Sequence, residues 1–254
     1  MNKSDVYDEL EKEFASTFVD ELMPGVLHNF ANPLNGIMGR SKLLQRRYAD
    51  FKRKMDERSP GLPQELGADK ITGDINTIAS EAERFFAIFR DLAGKLSALT
   101  AREPEKINLS QMIETEANFC DFYLDFKHDL KKNFQLDPDL PEITGPAAEY
   151  SLCISTLLKS AKERMRDCPA KEISVATSHD AKHVSLTIQD EGSAISSACK
   201  QISAERGFGF DAASLPEVDR GIYRALLLLQ HNGARLQVRR EDGKNTIEIS
   251  IPYR

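Results

Sequence analysis

The sequence predicts an α then α+β chain: a helical hairpin that forms a dimeric four-helix bundle, followed by an α/β sandwich. Three observations carry this. Two heptad seams run through the first hundred residues, which lack strand signals. RSPGLPQELGA (58–68), with two prolines and two glycines, separates the seams as a turn. After Ala101 the pattern changes to short alternating runs mixed with helical ones.

The first seam is Leu27, Phe30, Leu34, Ile37, Leu44, Phe51 and Met55, with Ser41 and Tyr48 in the gaps. The second is Ile71, Ile75, Ile78, Ala82, Phe85, Phe89, Leu92, Leu96 and Leu99. Two antiparallel helices with such narrow stripes cannot bury them alone. Pairing two hairpins does, so a homodimer is expected; packing of the hairpin on its own C-terminal domain is the alternative. Residues 3–23 carry a separate stripe (Val6, Leu10, Phe14, Phe18, Leu22) and read as their own helix, kinked or broken at Pro24. The expected domains are therefore 1–101 and 102–254.

In the second domain, REPEKIN (102–108) reads as a charged linker, and Ser110 as the N-cap of the next helix. KNFQLD (132–137) reads as a strand, and DPDLPEITGP as a proline-rich turn. A helix is expected over 148–166, and KEISVATS and HVSLTIQD as a hairpin. A helix over 219–231 and two final strands complete a mostly antiparallel sheet.

A formal charge of −6 and a pI near 5.5 argue against nucleic acid as partner. Cys120, Cys153, Cys168 and Cys199 are scattered without a CxxC pair, as free thiols in a reducing cytosol would be. No apolar run approaches the roughly 18 residues that span a bilayer, and the acidic N-terminus has no signal-peptide core. A cytoplasmic chain without a membrane span is expected. His179 and His183 flank a turn and lack a ligand set; no metal site is expected.

LHNFANPLNGIMG (27–39) is the most informative segment. His28 lies beside the seam residue Leu27, so it can point partly to solvent. An unperturbed imidazole keeps a neutral, nucleophilic nitrogen near neutral pH. Pro33 lacks an N–H and clashes with the carbonyl of residue 29, which opens the helix beside His28.

With that segment in a helical hairpin and the strand–turn–helix order that follows, the chain resembles the catalytic core of two-component sensor histidine kinases from about residue 20 onward. The resemblance implies that His28 is the phosphoacceptor. The family usually has Glu or Asp next, as the base for phosphorylation from ATP; here Asn29 can orient the ring but cannot act as a base. Asn32 matches the family's water-positioning amide.

The resemblance also implies a degenerate nucleotide site. Where the family's magnesium-binding helix has two asparagines, this chain has Thr156 and Ser160. Asp190 and Gly192 match the aspartate that reads the adenine amino group and its first glycine, but Ala194 replaces the second. The phosphate-cradling glycine box aligns with Asp219-Arg220-Gly221-Ile222, which keeps one glycine and adds an acid. Gly207-Phe208-Gly209-Phe210, where the family has its mobile lid, reads as a loop.

Three functions follow. The first is a phosphorelay protein that moves phosphoryl groups between His28 and response-regulator aspartates, as a phosphohistidine phosphotransferase without a cofactor. The second is an ATP- and Mg2+-dependent histidine kinase that autophosphorylates His28. The third is a non-catalytic dimeric docking or inhibitor protein.

Overall fold

The computed structural model describes residues 3–18, 22–57, 68–100, 103–169, 171–202 and 212–253. It divides into two compact units, Met23–Leu92 and Met1–Leu22 with Ala93–Arg254.

The first unit holds helix α2 (Met23–Glu57) and most of α3 (Ala68–Thr100), with the connecting turn outside the described residues. The partners run antiparallel. The Phe30 ring meets Phe85 edge-on at 5.6 Å, Gly36 faces the Glu81 side chain, and Asp74 takes both Arg40 and Arg47. Gly36 lets α3 come close: a Cβ there would lie 3.3 Å from Glu81. Asp74 is 3% exposed, so its two guanidinium partners offset the cost of burying it.

The N-terminal helix differs from the expectation. It ends earlier: α1 covers Lys3–Thr17. Pro24 is not the break; it sits in the first turn of α2, where a missing N–H costs no hydrogen bond. Nor does α1 group with the hairpin. It belongs to the unit that holds residues 93–254, because Val6 and Leu10 are buried there, at 0% and 2% exposure.

That second unit also contains β1 (Pro104–Ile107), α4 (Leu109–Cys120), α5 (Leu124–His128), β2 (Lys131–Gln135), β3 (Ile143–Pro146) and α6 (Ala147–Arg164). β4 (Glu172–His179), β5 (His183–Asp190), α7 (Ser197–Ile202), α8 (Glu217–His231), β6 (Arg235–Glu241) and β7 (Lys244–Pro252) follow. Five strands form one sheet in the order β2-β4-β5-β7-β6. β2 runs parallel to β4, and the other neighbours are antiparallel. Alternation sends Ile173 and Val175, Val184, Leu186 and Ile188, and Ile247 and Ile249 to the buried face. The other face carries Ser174, Ser185, Thr187, Glu248 and Ser250. Leu152, Leu157 and Leu158 of α6 and Leu226 and Leu228 of α8 complete the core.

Two expected loops are strands. β1 and β3 pair antiparallel, with Ile107 opposite Ile143 and both buried. The cap of α4 also differs. Asn108 is the N-cap and accepts from the Gln111 N–H at 3.0 Å. Ser110 lies within the helix, and its hydroxyl donates to the Asp137 carbonyl at 2.7 Å.

α3 ends in a buried polar cluster. Lys95 is 0% exposed and donates to Glu116 at 2.6 Å and to the Ser151 hydroxyl at 2.9 Å. Ser151 in turn donates to the other Glu116 oxygen at 2.6 Å, and the ammonium faces the Phe14 ring at 4.9 Å. Helices α1, α3, α4 and α6 therefore converge on one satisfied charge.

Candidate functional site

His28 lies in the second turn of α2; its side chain is outside the described residues. Its neighbour Asn29 is 5% exposed, and its amide Nδ2 donates to the Gly25 carbonyl one turn back at 2.8 Å. That bond turns the amide into the helix. Pro33 is buried four residues on, within the helix, and supplies no N–H toward the Asn29 carbonyl. Asn32 is exposed.

The other predicted residues separate into two groups. Asp190 and Gly192 lie together at the C-terminal end of α6. Inward alternation along β5 buries Asp190 to 2% exposure. Arg164, the last residue of α6, meets it through Nη2 and through Nε at 3.4 Å. Asn245 stands opposite Asp190 in the β5–β7 ladder and donates to it at 2.9 Å. The Gly192 N–H donates at 3.0 Å. Both carboxylate oxygens are therefore engaged within the protein. Gly192 is required by close approach: a Cβ there would lie 2.5 Å from the Arg164 Cβ and 2.8 Å from its carbonyl carbon. Ser193 N–H donates to the Arg164 carbonyl at 3.1 Å, so the turn is latched to the helix end.

Sequence reasoning missed Arg164. The signal was present: an inward-facing acid on β5 needs a buried cation, and Arg164 ends the helix that packs beside it.

Thr156, Ser160 and Gly221 form the second group. A Cβ on Gly221 would lie 3.2 Å from Thr156 Cγ2, 3.6 Å from Ser160 Oγ and 3.7 Å from Glu13 Oε1. The phosphate-cradle reading of residues 219–222 needs correction. α8 begins at Glu217, so Gly221 lies inside the helix and its N–H points back along the ladder toward residue 217. Its missing side chain serves helix packing. Asp219 is also not open toward a ligand: it is 7% exposed, and burial pushes its carboxyl up, with Arg164 acting against that. Gly207–Phe210 lie outside the described residues.

A cavity of about 350 Å³ borders this group. Its walls include Thr156, Lys159 and Ser160 of α6, Glu217 of α8, and Glu13 and Thr17 of α1. Lys159 Nζ donates to the Thr17 hydroxyl at 2.7 Å. An ammonium here competes with any bound cation. Among the described residues no three His, Cys, Asp or Glu side chains cluster as metal ligands. His179 and His183 pair with different acids, Asp137 and Asp180. Among the described residues no helix is long and apolar enough to cross a membrane.

The solved structures to which the chain is similar include histidine kinase cores and a phosphotransferase. Acinetobacter baumannii histidine kinase AdeS is 14% identical over 84% of this chain and 95% of its own, with a TM-score of 0.46. The catalytic domain of histidine kinase ThkA is 14% identical over 59% and 98%, with a TM-score of 0.49. A bacterial phosphotransferase is 12% identical over 92% and 96%, with a TM-score of 0.39. No protein-family model matches the chain, and no curated protein does.

Proposed function

We propose that the chain is a cytoplasmic two-component phosphorelay protein. A His28 ring nitrogen attacks the phosphoryl group of a response-regulator aspartate: an N–P bond forms, and the aspartate leaves as carboxylate. A second receiver aspartate then takes the group from His28 by the reverse step. No ATP is used, and the receivers supply the magnesium and acidic pocket.

The observation that carries this is the ion pair of Asp190 with Arg164. The carboxylate that would read adenine is already engaged by Arg164, Asn245 and the Gly192 N–H. Asn29 supports the same reading, since an amide donating to Gly25 is not a base for autophosphorylation. Asn32, exposed on α2, is the group proposed to orient a phosphoryl acceptor or water. A homodimer through the hairpin is part of the proposal: Ile75 of the second seam is 49% exposed and Tyr48 of the first is 58% exposed in the single chain.

The test is transfer from a phosphorylated receiver domain, run beside incubation with γ-labelled ATP and magnesium. Label on wild type but not on His28→Ala, arriving from the receiver and not from ATP, is expected. Label from ATP on His28 would replace the relay with a kinase. Label from neither would leave docking alone.

A further inference from the structure

The second compact unit carries α1 as an added helix on the surface of α6 and α8. α1 lies against α6 and α8, and its contacts run its full length. Lys3 meets Glu149 at 3.1 Å and Asn232 at 2.7 Å. Val6, Tyr7 and Leu10 are buried. Arg224 of α8 takes Glu9 at 2.6 Å and Glu13 at 3.5 Å. Thr17 receives Lys159 of α6. The Phe14 and Phe18 rings both lie 6.2 Å from Phe119 of α4. Asp5, Asp8, Lys12 and Ala15 point to solvent. This is an amphipathic helix seated in a groove, with apolar anchors at four-residue spacing and two acids facing one arginine.

The seat coincides with the second group of site residues. Glu13 reaches to the Gly221 surface beside Thr156 and Ser160. Where a polyphosphate would bring negative charge, α1 brings carboxylates, and Arg224 is the cation that receives them.

We infer that the α6–α8 face is a helix-binding groove whose resident ligand is this chain's own α1, an acidic amphipathic helix read by an apolar floor and Arg224. The correspondence with a nucleotide face rests on the proposed function. The groove itself does not, since its occupancy is independent of phosphate on His28.

The experiment uses the full chain and a fluorescent peptide of residues 1–18. In Leu10→Asp, a carboxylate placed at a fully buried anchor expels α1 and leaves the groove open. The peptide should bind this variant at least tenfold tighter than wild type, whose groove is filled. Glu9→Lys with Glu13→Lys in the peptide should weaken binding at least tenfold, and Arg224→Glu in the protein should restore it. Millimolar Mg-ATP should displace none of it. Equal binding to wild type and variant, failure of the charge swap, or displacement by Mg-ATP would each overturn the inference. Should Leu10→Asp not fold, amide exchange on wild type decides. Residues 6–14 protected as strongly as α8 support a resident helix; exchange there a hundredfold faster than in α8 sinks it.

Discussion

Arg164 and Asp190 form an ion pair in which neither side chain is more than 2% exposed. The pair joins the end of α6 to the end of β5 and organises the turn that follows. Asn245 completes it: its Oδ1 accepts from Arg240 at 2.8 Å while its Nδ2 holds Asp190 and the Ser193 carbonyl at 2.9 Å each. Asp190 is thus part of the folded core.

Removing one partner strands a buried charge. Arg164→Ala should lower stability by about 3–5 kcal/mol, measured by urea unfolding, and Asp190→Ala by a similar amount. Arg164→Lys should not restore it, because an ammonium cannot meet both oxygens with a planar fork. Arg164→Met with Asp190→Leu should cost far less than the sum of the single changes. Additive costs would show that the two residues act separately.

The Lys95 cluster makes a parallel prediction. Lys95→Ala takes the cation from the buried Glu116 and a donor from Ser151, and opens space beside Phe14. A loss of about 3–5 kcal/mol is expected, with Lys95→Met paired with Glu116→Gln recovering much of it. Thermal unfolding of the two variants measures both.

Asp219 sets a pH dependence. Burial raises its folded carboxyl above the ordinary 3.8, so the folded state holds a proton that the unfolded chain has released. Its contribution to stability therefore rises as pH falls from the raised value toward 3.8 and diminishes as pH rises through that window. Asp219→Asn should be more stable than wild type at neutral pH, with the difference narrowing in acid. Urea midpoints taken from pH 7 to 4 test it; a difference that widens in acid would refute the assignment.

Thiol reactivity should be confined to one cysteine. Burial pushes Cys120 up to about 12 and Cys199 to about 11, and raises Cys153 as well. Cys168 is partly exposed. Iodoacetamide at neutral pH should modify Cys168 within minutes, and the other three only after unfolding. Mass spectrometry of the native protein reads the order directly.

The elements legible in the sequence were those with strong local period. α2 and α3 carry heptads, and the β4–β5 hairpin and α8 bury faces that repeat within the chain, so pattern alone marks them. β1 and β3 escaped because each has four residues and gains its partner across 36 positions, from Ile107 to Ile143. Ser110 looked like a cap because its residue type favours that role, yet Asn108 reaches the free N–H first. Thr156, Ser160, Asp190 and Gly192 were singled out only through the family resemblance. Arg164 was not, since nothing local separates it from Arg166 two residues on.

What the sequence determined by itself is the set of chemical types: an imidazole five residues before a proline in a helix, an amide beside it, and an acid followed by a glycine at the end of β5. Local rules suffice there, because each depends on neighbours within one or two turns. Only the tertiary structure decided what those groups face. Asp190 meets Arg164 and Asn245 because β5 pairs with β7 beneath the end of α6. α1 meets Arg224, more than 200 positions away, because Val6 and Leu10 of its stripe are buried in the unit that holds α6 and α8. Such pairings are set by competition among burial sites across the whole chain, a sum that no local segment contains.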